Sequence, residues 1–198
     1  MSKYPEKMRD MISETIRNNI HQAGIDIIRE AGWNSFTTEK IAERVGVSRG
    51  VLYNYFKNKE EIAHSIIEAS FENFTRKLAD LANLPETAES RLRKMAQLTV
   101  NDFMQQREMH RAFMENLPPP SPGKADHPAV KGHLRKDELF FEVIKSGISS
   151  GEFVAVNVEA AGTLLQGGLQ ELCIKSIFSP QAISPDNLID IFLKGIKR

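Results

Sequence analysis

Two short amphipathic segments meeting at Gly46 and Ser48 constrain this chain more than any other feature of it. Thr38 can cap a helix carrying Ile41, Ala42 and Val45 on one face, its side-chain oxygen serving an amide that has no partner in the first turn. Gly46 follows where that helix must stop and the chain must turn, because glycine takes positive φ without a Cβ clash. Ser48 is the next capping residue. It opens a segment in which Val51, Leu52 and Phe56 can pack inward while Arg49, Gly50, Tyr53, Asn54 and Tyr55 stay available. The stretch from about 37 to 56 therefore reads as a helix-turn-helix, with the second segment as the recognition helix.

The available residues suit contact with duplex DNA. Arginine can bridge two acceptors on guanine, asparagine can pair with adenine, and lysine and tyrosine can hold phosphates. Gly50 lets the helix backbone approach closely. The candidate DNA-contacting set is Thr37, Thr38, Lys40, Ser48, Arg49, Gly50, Tyr53, Asn54, Tyr55 and Lys59. Between Thr37 and Lys59 five basic residues (Lys40, Arg44, Arg49, Lys57, Lys59) stand against two acidic ones (Glu39, Glu43), a local charge of +3. The whole chain has 26 basic and 26 acidic residues, so it has no general attraction to polyanions and any binding to DNA must come from one face.

Other function classes find little support. There is no phosphate-cradling glycine loop, no Gly-x-Ser-x-Gly elbow and no Cys-His metal spacing, and His21, His64, His110, His127 and His133 are scattered. The expectation is a protein that is not an enzyme and needs no cofactor or metal. Cys173 is the single cysteine, which excludes an intrachain disulfide. The start MSKYPEKMRD lacks the apolar core of a signal peptide, and no run of about 18 apolar residues argues for a membrane span. A soluble cytoplasmic protein is expected.

The motif residues resemble the tetracycline-repressor (TetR) family of bacterial transcription regulators over about the first third of the chain. They are Ala23, Gly32-Trp33, Thr37-Thr38, Ile41-Ala42, Gly46-Val47-Ser48, Gly50-Val51-Leu52-Tyr53-Asn54-Tyr55-Phe56 and Lys59-Glu60, dense and in register. Asn19 and Gln22 depart from it, standing where the leading helix usually has apolar residues.

Helical spacing continues on both sides of the motif. Ile12, Ile16, Ile20, Ala23, Ile27 and Ala31 predict a first helix over about 11–31, behind a loose arm at 1–9, with Trp33 and Phe36 as core plugs. Asn58 and Glu61 have the capping-box arrangement and open a long helix to about Asn83, a lever between two domains. Further helices are expected over about 86–108, around His110–Leu117, and over 130–150 and 158–178. A last one begins at Ser184-Pro185-Asp186. Leu117 to Pro128, with three consecutive prolines, reads as a surface loop. The fold class is all-α, with a three-helix DNA-binding domain at 10–62 and a helical ligand-binding and dimerisation domain at 63–198.

The last two helices are too apolar for a monomer surface. The resemblance implies that they pair with their twins in a four-helix homodimer interface, through Ala161, Leu165, Gly168, Leu169, Leu172, Leu188 and Phe192, with Gly162, Gly167 and Gly168 permitting close approach. It also places a ligand cavity among segments rich in Met95, Phe103, Met104, Phe113, Met114, Phe140, Phe141 and Ile144, with His110 and Gln166 to orient a small apolar or aromatic effector. The function implied is a repressor released from a near-palindromic DNA operator by that effector. A DNA-binding or protein-interaction module without ligand response, an activator, and an enzyme with an incidental helix-turn-helix stay open, as do the effector and the operator.

Overall fold

The computed structural model describes residues 5–118, 128–178 and 184–197. The chain order is α1 (Glu6–Ala31), a 3-10 turn (Trp33–Ser35), α2 (Thr38–Val45), α3 (Arg49–Tyr53) and α4 (Lys59–Ala82), then α5 (Ala88–Gln105), α6 (Arg107–Asn116), α7 (Pro128–Ser149), α8 (Val158–Phe178) and α9 (Pro185–Ile196). Among the described residues the only β pairing is an isolated bridge between Phe153 and Lys197. The all-α expectation holds, and most of the proline-rich loop expected at 117–128 lies outside the described residues.

The chain divides into two compact units. The first comprises Met1–Ala69 with Glu108–Pro119, and the second Ser70–Arg107 with Pro120–Arg198. The expected boundary near 62 separated the helix-turn-helix from everything after it, but α6 packs with the first unit. Its Phe113 meets the Trp33 ring edge-on at 6.0 Å, and Met109, Ala112 and Phe113 join the first core. α1 also begins earlier than expected, since Glu6–Arg9, assigned to a loose arm, are helical.

The first core is built from the inward faces of α1, α2, α3 and the start of α4, with Ile20, Ile41, Leu52 and Ile62 fully buried. Phe36 is the central plug, stacked on Trp33 at 5.1 Å. Gly24 makes room for it, because a Cβ there would lie 2.8 Å from the Phe36 ring. Among the described residues His21 is the one buried polar residue of this core, and its Nε2 shares a 2.8 Å hydrogen bond with Ser65 Oγ. Burial first, and the Arg17 charge second, depress its pKa to about 4.

The second core joins α5, α7, α8 and α9 with the later turns of α4, and includes Leu78, Leu92, Met95, Phe140, Leu165 and Ile189. At its edge Arg93 pairs with Glu89 at 3.0 Å and with Asp190 at 2.6 Å, tying α5 to α9, while Lys197 reaches Glu89 at 2.7 Å. Arg91 donates to the Ala82 carbonyl at 2.8 Å and to Ser146 Oγ at 2.9 Å. α9 starts as its sequence predicts, with Ser184 accepting from the Asp186 amide and Pro185 in the first turn.

Candidate nucleic-acid interface

The helix-turn-helix and the start of α4 are set by four capping side chains and one backbone conformation. Thr37, not Thr38, caps α2: its backbone is extended and its hydroxyl accepts from the Lys40 amide at 3.3 Å. Thr38 is the first helical residue, and one residue of register decides which hydroxyl meets that amide. Gly46 closes α2 at φ 75°, ψ 29°, where the Val47 amide reaches back to the Ala42 carbonyl at 3.0 Å. Ser48 then caps α3 by accepting from the Val51 amide at 3.3 Å. Asn58 accepts from the Glu61 amide at 2.8 Å and the Glu61 carboxylate accepts from the Lys57 amide at 2.6 Å, so the expected pair caps α4 from both sides.

These caps leave one exposed face holding Lys40, Ser48, Arg49, Gly50, Tyr53 and Asn54. α3 is a single turn and a half ending at Tyr53, so Asn54 stands just past the helix as its C-cap. Tyr55 is half-buried and packs against the first core. Lys59 is also used within the unit: its ammonium lies 4.7 Å from the centre of the Trp33 ring, a cation–π contact at the start of α4.

Glu39, counted from sequence only as a local negative charge, links the two helices of the motif. Its carboxylate pairs with Arg49 at 3.3 Å and accepts from the Thr38 hydroxyl at 3.3 Å, and that hydroxyl lies 3.4 Å from the Tyr53 hydroxyl. The Glu39 carboxyl is held below the ordinary carboxylate range, first by a hydrogen bond from its own backbone amide and then by the Arg49 charge. Arg49 is therefore held across the face by a neighbour before any base is present. Nearby, Arg44 donates to Glu30 at 2.6 Å and locks α2 to α1. Such pairs are a poor sequence signal, since which of several exposed charges meet depends on the angle between helices.

The residues expected to form an effector site do not collect in one unit. His110, Phe113 and Met114 lie on α6 in the first unit, where Phe113 is buried, His110 half-buried and Met114 exposed. Met95, Phe140 and Ile144 are fully buried in the second core, Phe103 packs at its margin, Phe141 lies against Gly162, and Met104 is exposed. Gln166 is buried in the second unit.

The residues expected at a dimer interface are largely core. Leu165, Leu169, Leu172 and Phe192 are buried within the chain's own second unit, and Ala161 and Leu188 pack against them. Gly162 and Gly168 admit Phe141 and Leu188 of the same chain, while Gly167 faces open space. The apolar residues left outside on these helices are Leu164 at 72% exposure, Phe178 at 75% and Ile191 at 73%. A helix whose apolar residues are spread around it conceals which stripe faces inward, and α8 is such a helix.

Among the described residues no helix is long and apolar enough to cross a membrane, and no group of metal-ligating side chains assembles.

Comparison with known proteins agrees with this geometry. The chain is 25% identical over 191 residues to a fatty acid metabolism regulator protein of Bacillus subtilis, covering 89% of this chain and 93% of that one. It is 39% identical over 59 residues to the class A tetracycline repressor protein from transposon 1721 of Escherichia coli, a match covering 29% of this chain and 27% of the repressor. The structure is similar to that of the transcriptional regulator FadR from Bacillus subtilis in complex with stearoyl-CoA. The TM-score is 0.73 at 20% identity, over 89% of this chain and 97% of that one. Residues 20–66, which hold the helix-turn-helix and parts of the helices packed behind it, match the family of bacterial regulatory proteins called tetR, so this segment is a TetR-type helix-turn-helix domain.

Proposed function

We propose that this regulator is a homodimeric repressor that occupies a near-palindromic operator through α3 and is released by a small apolar effector. The observation that carries the reading is the exposed face in which Arg49, Gly50, Tyr53 and Asn54 stand beside Lys40, with no apolar residue that packing would require there. Two such faces, roughly 34 Å apart on a dimer, would enter successive major grooves on one side of the duplex. The exposed Leu164, Gly167 and Phe178 on α8 and Ile191 on α9 supply the apolar surface for the second copy. The molecule acts in the cytoplasm, where its DNA lies.

The likeness to a protein called a fatty acid metabolism regulator, and to a structure holding stearoyl-CoA, favours a long-chain acyl compound as the effector class. Release requires that the effector bind one state of the dimer more tightly than the other, a coupling typically of ~1 to 3 kcal/mol. The test is selection of bound genomic fragments by the purified protein, followed by titration of stearoyl-CoA into the complex. A shared inverted-repeat sequence and release of the DNA are expected. Bound fragments without any common sequence would refute the operator. A stable complex at saturating effector would leave a DNA-binding module with no ligand response.

A further inference from the structure

The exposed face of the helix-turn-helix carries a negative charge among groups that suit phosphate and base contact. Glu39 stands in the first turn of α2, between Thr38 and Lys40 in sequence, and its side chain crosses to α3. Glu39 Oε1 lies 3.3 Å from Arg49 Nη1, and Glu39 Oε2 accepts from the Thr38 hydroxyl at 3.3 Å. That hydroxyl lies 3.4 Å from the Tyr53 hydroxyl. A carboxylate on a surface that meets a polyanion opposes binding, since it repels every phosphate that approaches. Stability does not account for it, because the Glu39 and Arg49 side chains are 44% and 66% exposed and exposed pairs contribute little.

Counting protons gives these contacts a direction. Thr38 has a single hydroxyl proton and donates it to Glu39, so the Tyr53 hydroxyl is the donor to Thr38. While that holds, Tyr53 has no proton left for a phosphate oxygen. The guanidinium is differently placed. It has five N–H donors in a planar fork, and Glu39 meets it at Nη1. Among the described residues no other side chain pairs with it, so the edge formed by Nη2 and Nε remains for two acceptors in one plane. Guanine O6 and N7 present that pattern in the major groove. The two kinds of DNA contact are therefore unequal: a phosphate competes with the Glu39 carboxylate for the same donors, whereas a guanine edge adds acceptors without displacing it.

We propose that Glu39 is a specificity-determining residue of the DNA-reading face, which occupies the Arg49 and Tyr53 donors against phosphate and holds the Arg49 guanidinium for a guanine edge. It is a positioning residue, acting through Arg49 and, by way of Thr38, through Tyr53. It lowers affinity for duplexes in general and so raises the ratio of operator to random DNA. This rests on the reading of α3 as the element that recognises an operator, and adds the residue that sets how sharply it discriminates.

The test uses the full-length protein and selection from a random-sequence duplex library, comparing wild type, Glu39→Gln, Glu43→Gln, Arg49→Ala and the Glu39→Gln, Arg49→Ala double variant. Glutamine keeps the side-chain length at an exposed site, melting temperatures check that each variant is folded, and Glu39→Ala serves if the glutamine variant is not. Glu39→Gln is expected to bind random duplexes on the order of tenfold more tightly, with a salt dependence steeper by about one phosphate contact per subunit, as the released guanidinium takes a phosphate. Its selected sequences should lose the preference for guanine at one base pair of each half-site. Glu43→Gln removes an exposed carboxylate of α2 that does not pair with Arg49, so it controls for charge alone and should leave the selected sequence unchanged. In the double variant, base preference should match that of Arg49→Ala. The proposal is overturned if Glu39→Gln keeps the wild-type base preference, if Glu43→Gln gains as much on random DNA, or if Glu39→Gln still alters base preference without Arg49. Each of these leaves the operator reading standing, since wild type still selects a shared sequence. If wild type itself selects none, the operator reading fails and the proposal fails with it.

Discussion

At the scale of single residues, charge and hydrogen bonding divide the helix-turn-helix into groups that hold the motif and groups free to meet DNA. Arg49 belongs to the second kind, exposed on α3 and held by Glu39 at 3.3 Å. Replacing it with alanine should cost about 1 to 3 kcal/mol on the selected operator and relax preference at one base pair, with random duplexes affected less. Gel-shift titration of operator and scrambled DNA at matched salt checks this, and an equal loss on both would reduce Arg49 to a phosphate contact. His21 belongs to the first kind. Its folded pKa of about 4 lies below the ordinary value of 6.5, so the unfolded chain binds the extra proton between those limits. Its contribution is thus fully present above about pH 6.5 and is lost as pH falls toward 4, by roughly 3 kcal/mol at most. Urea unfolding at pH 7 and pH 5 should show a smaller loss of stability for His21→Gln than for wild type. Parallel slopes would mean that His21 is not the group titrating.

At the scale of elements, stability is decided by ends rather than by propensity, because α2 and α3 are too short to hold themselves. Thr37→Ala removes the hydroxyl that accepts from the Lys40 amide and should destabilise the first unit by about 1 kcal/mol. Thr38→Ala removes only side-chain bonds to Glu39 and Tyr53, which serve no backbone amide, and should cost less, so chemical denaturation of the two variants decides which threonine caps the helix. The sequence shows plainly that a cap belongs here, but adjacent threonines are equivalent until the backbone picks one. The start of α9 had no such rival, and its Ser-Pro-Asp cap is where the sequence places it.

At the scale of the whole molecule, the inward stripe of each helix sets which surface remains for a second copy. Leu164→Glu and Ile191→Glu should break the proposed dimer while leaving each chain folded, because both side chains lie outside the second core. Leu169→Glu should instead unfold the second unit, since it would bury a carboxylate among apolar side chains. Sedimentation and far-ultraviolet circular dichroism separate the cases: folded monomers for the first pair, loss of helix for the third. Persistent dimers of both Leu164→Glu and Ile191→Glu would move the interface elsewhere.

Local chemistry alone determined the helix-turn-helix, the glycine at its turn, the order and ends of most helices, and the family. Each is written in neighbouring residues: a cap three residues from its amide, a glycine where φ is positive, apolar spacing near 3.6. Only the tertiary structure decided that α6 packs with the first unit, that Leu165, Leu169, Leu172 and Phe192 are core, that Tyr55 and Lys59 turn inward, and that Glu39 holds Arg49. These depend on contacts between segments far apart in the chain. An apolar residue carries the same hydrophobic gain against its own chain or a twin, and a charge carries the same attraction for any opposite charge in reach. The packing angles of whole helices make that choice, and they also enclose the Gln166 amide, whose nitrogen and oxygen have no hydrogen-bond partner among the described residues.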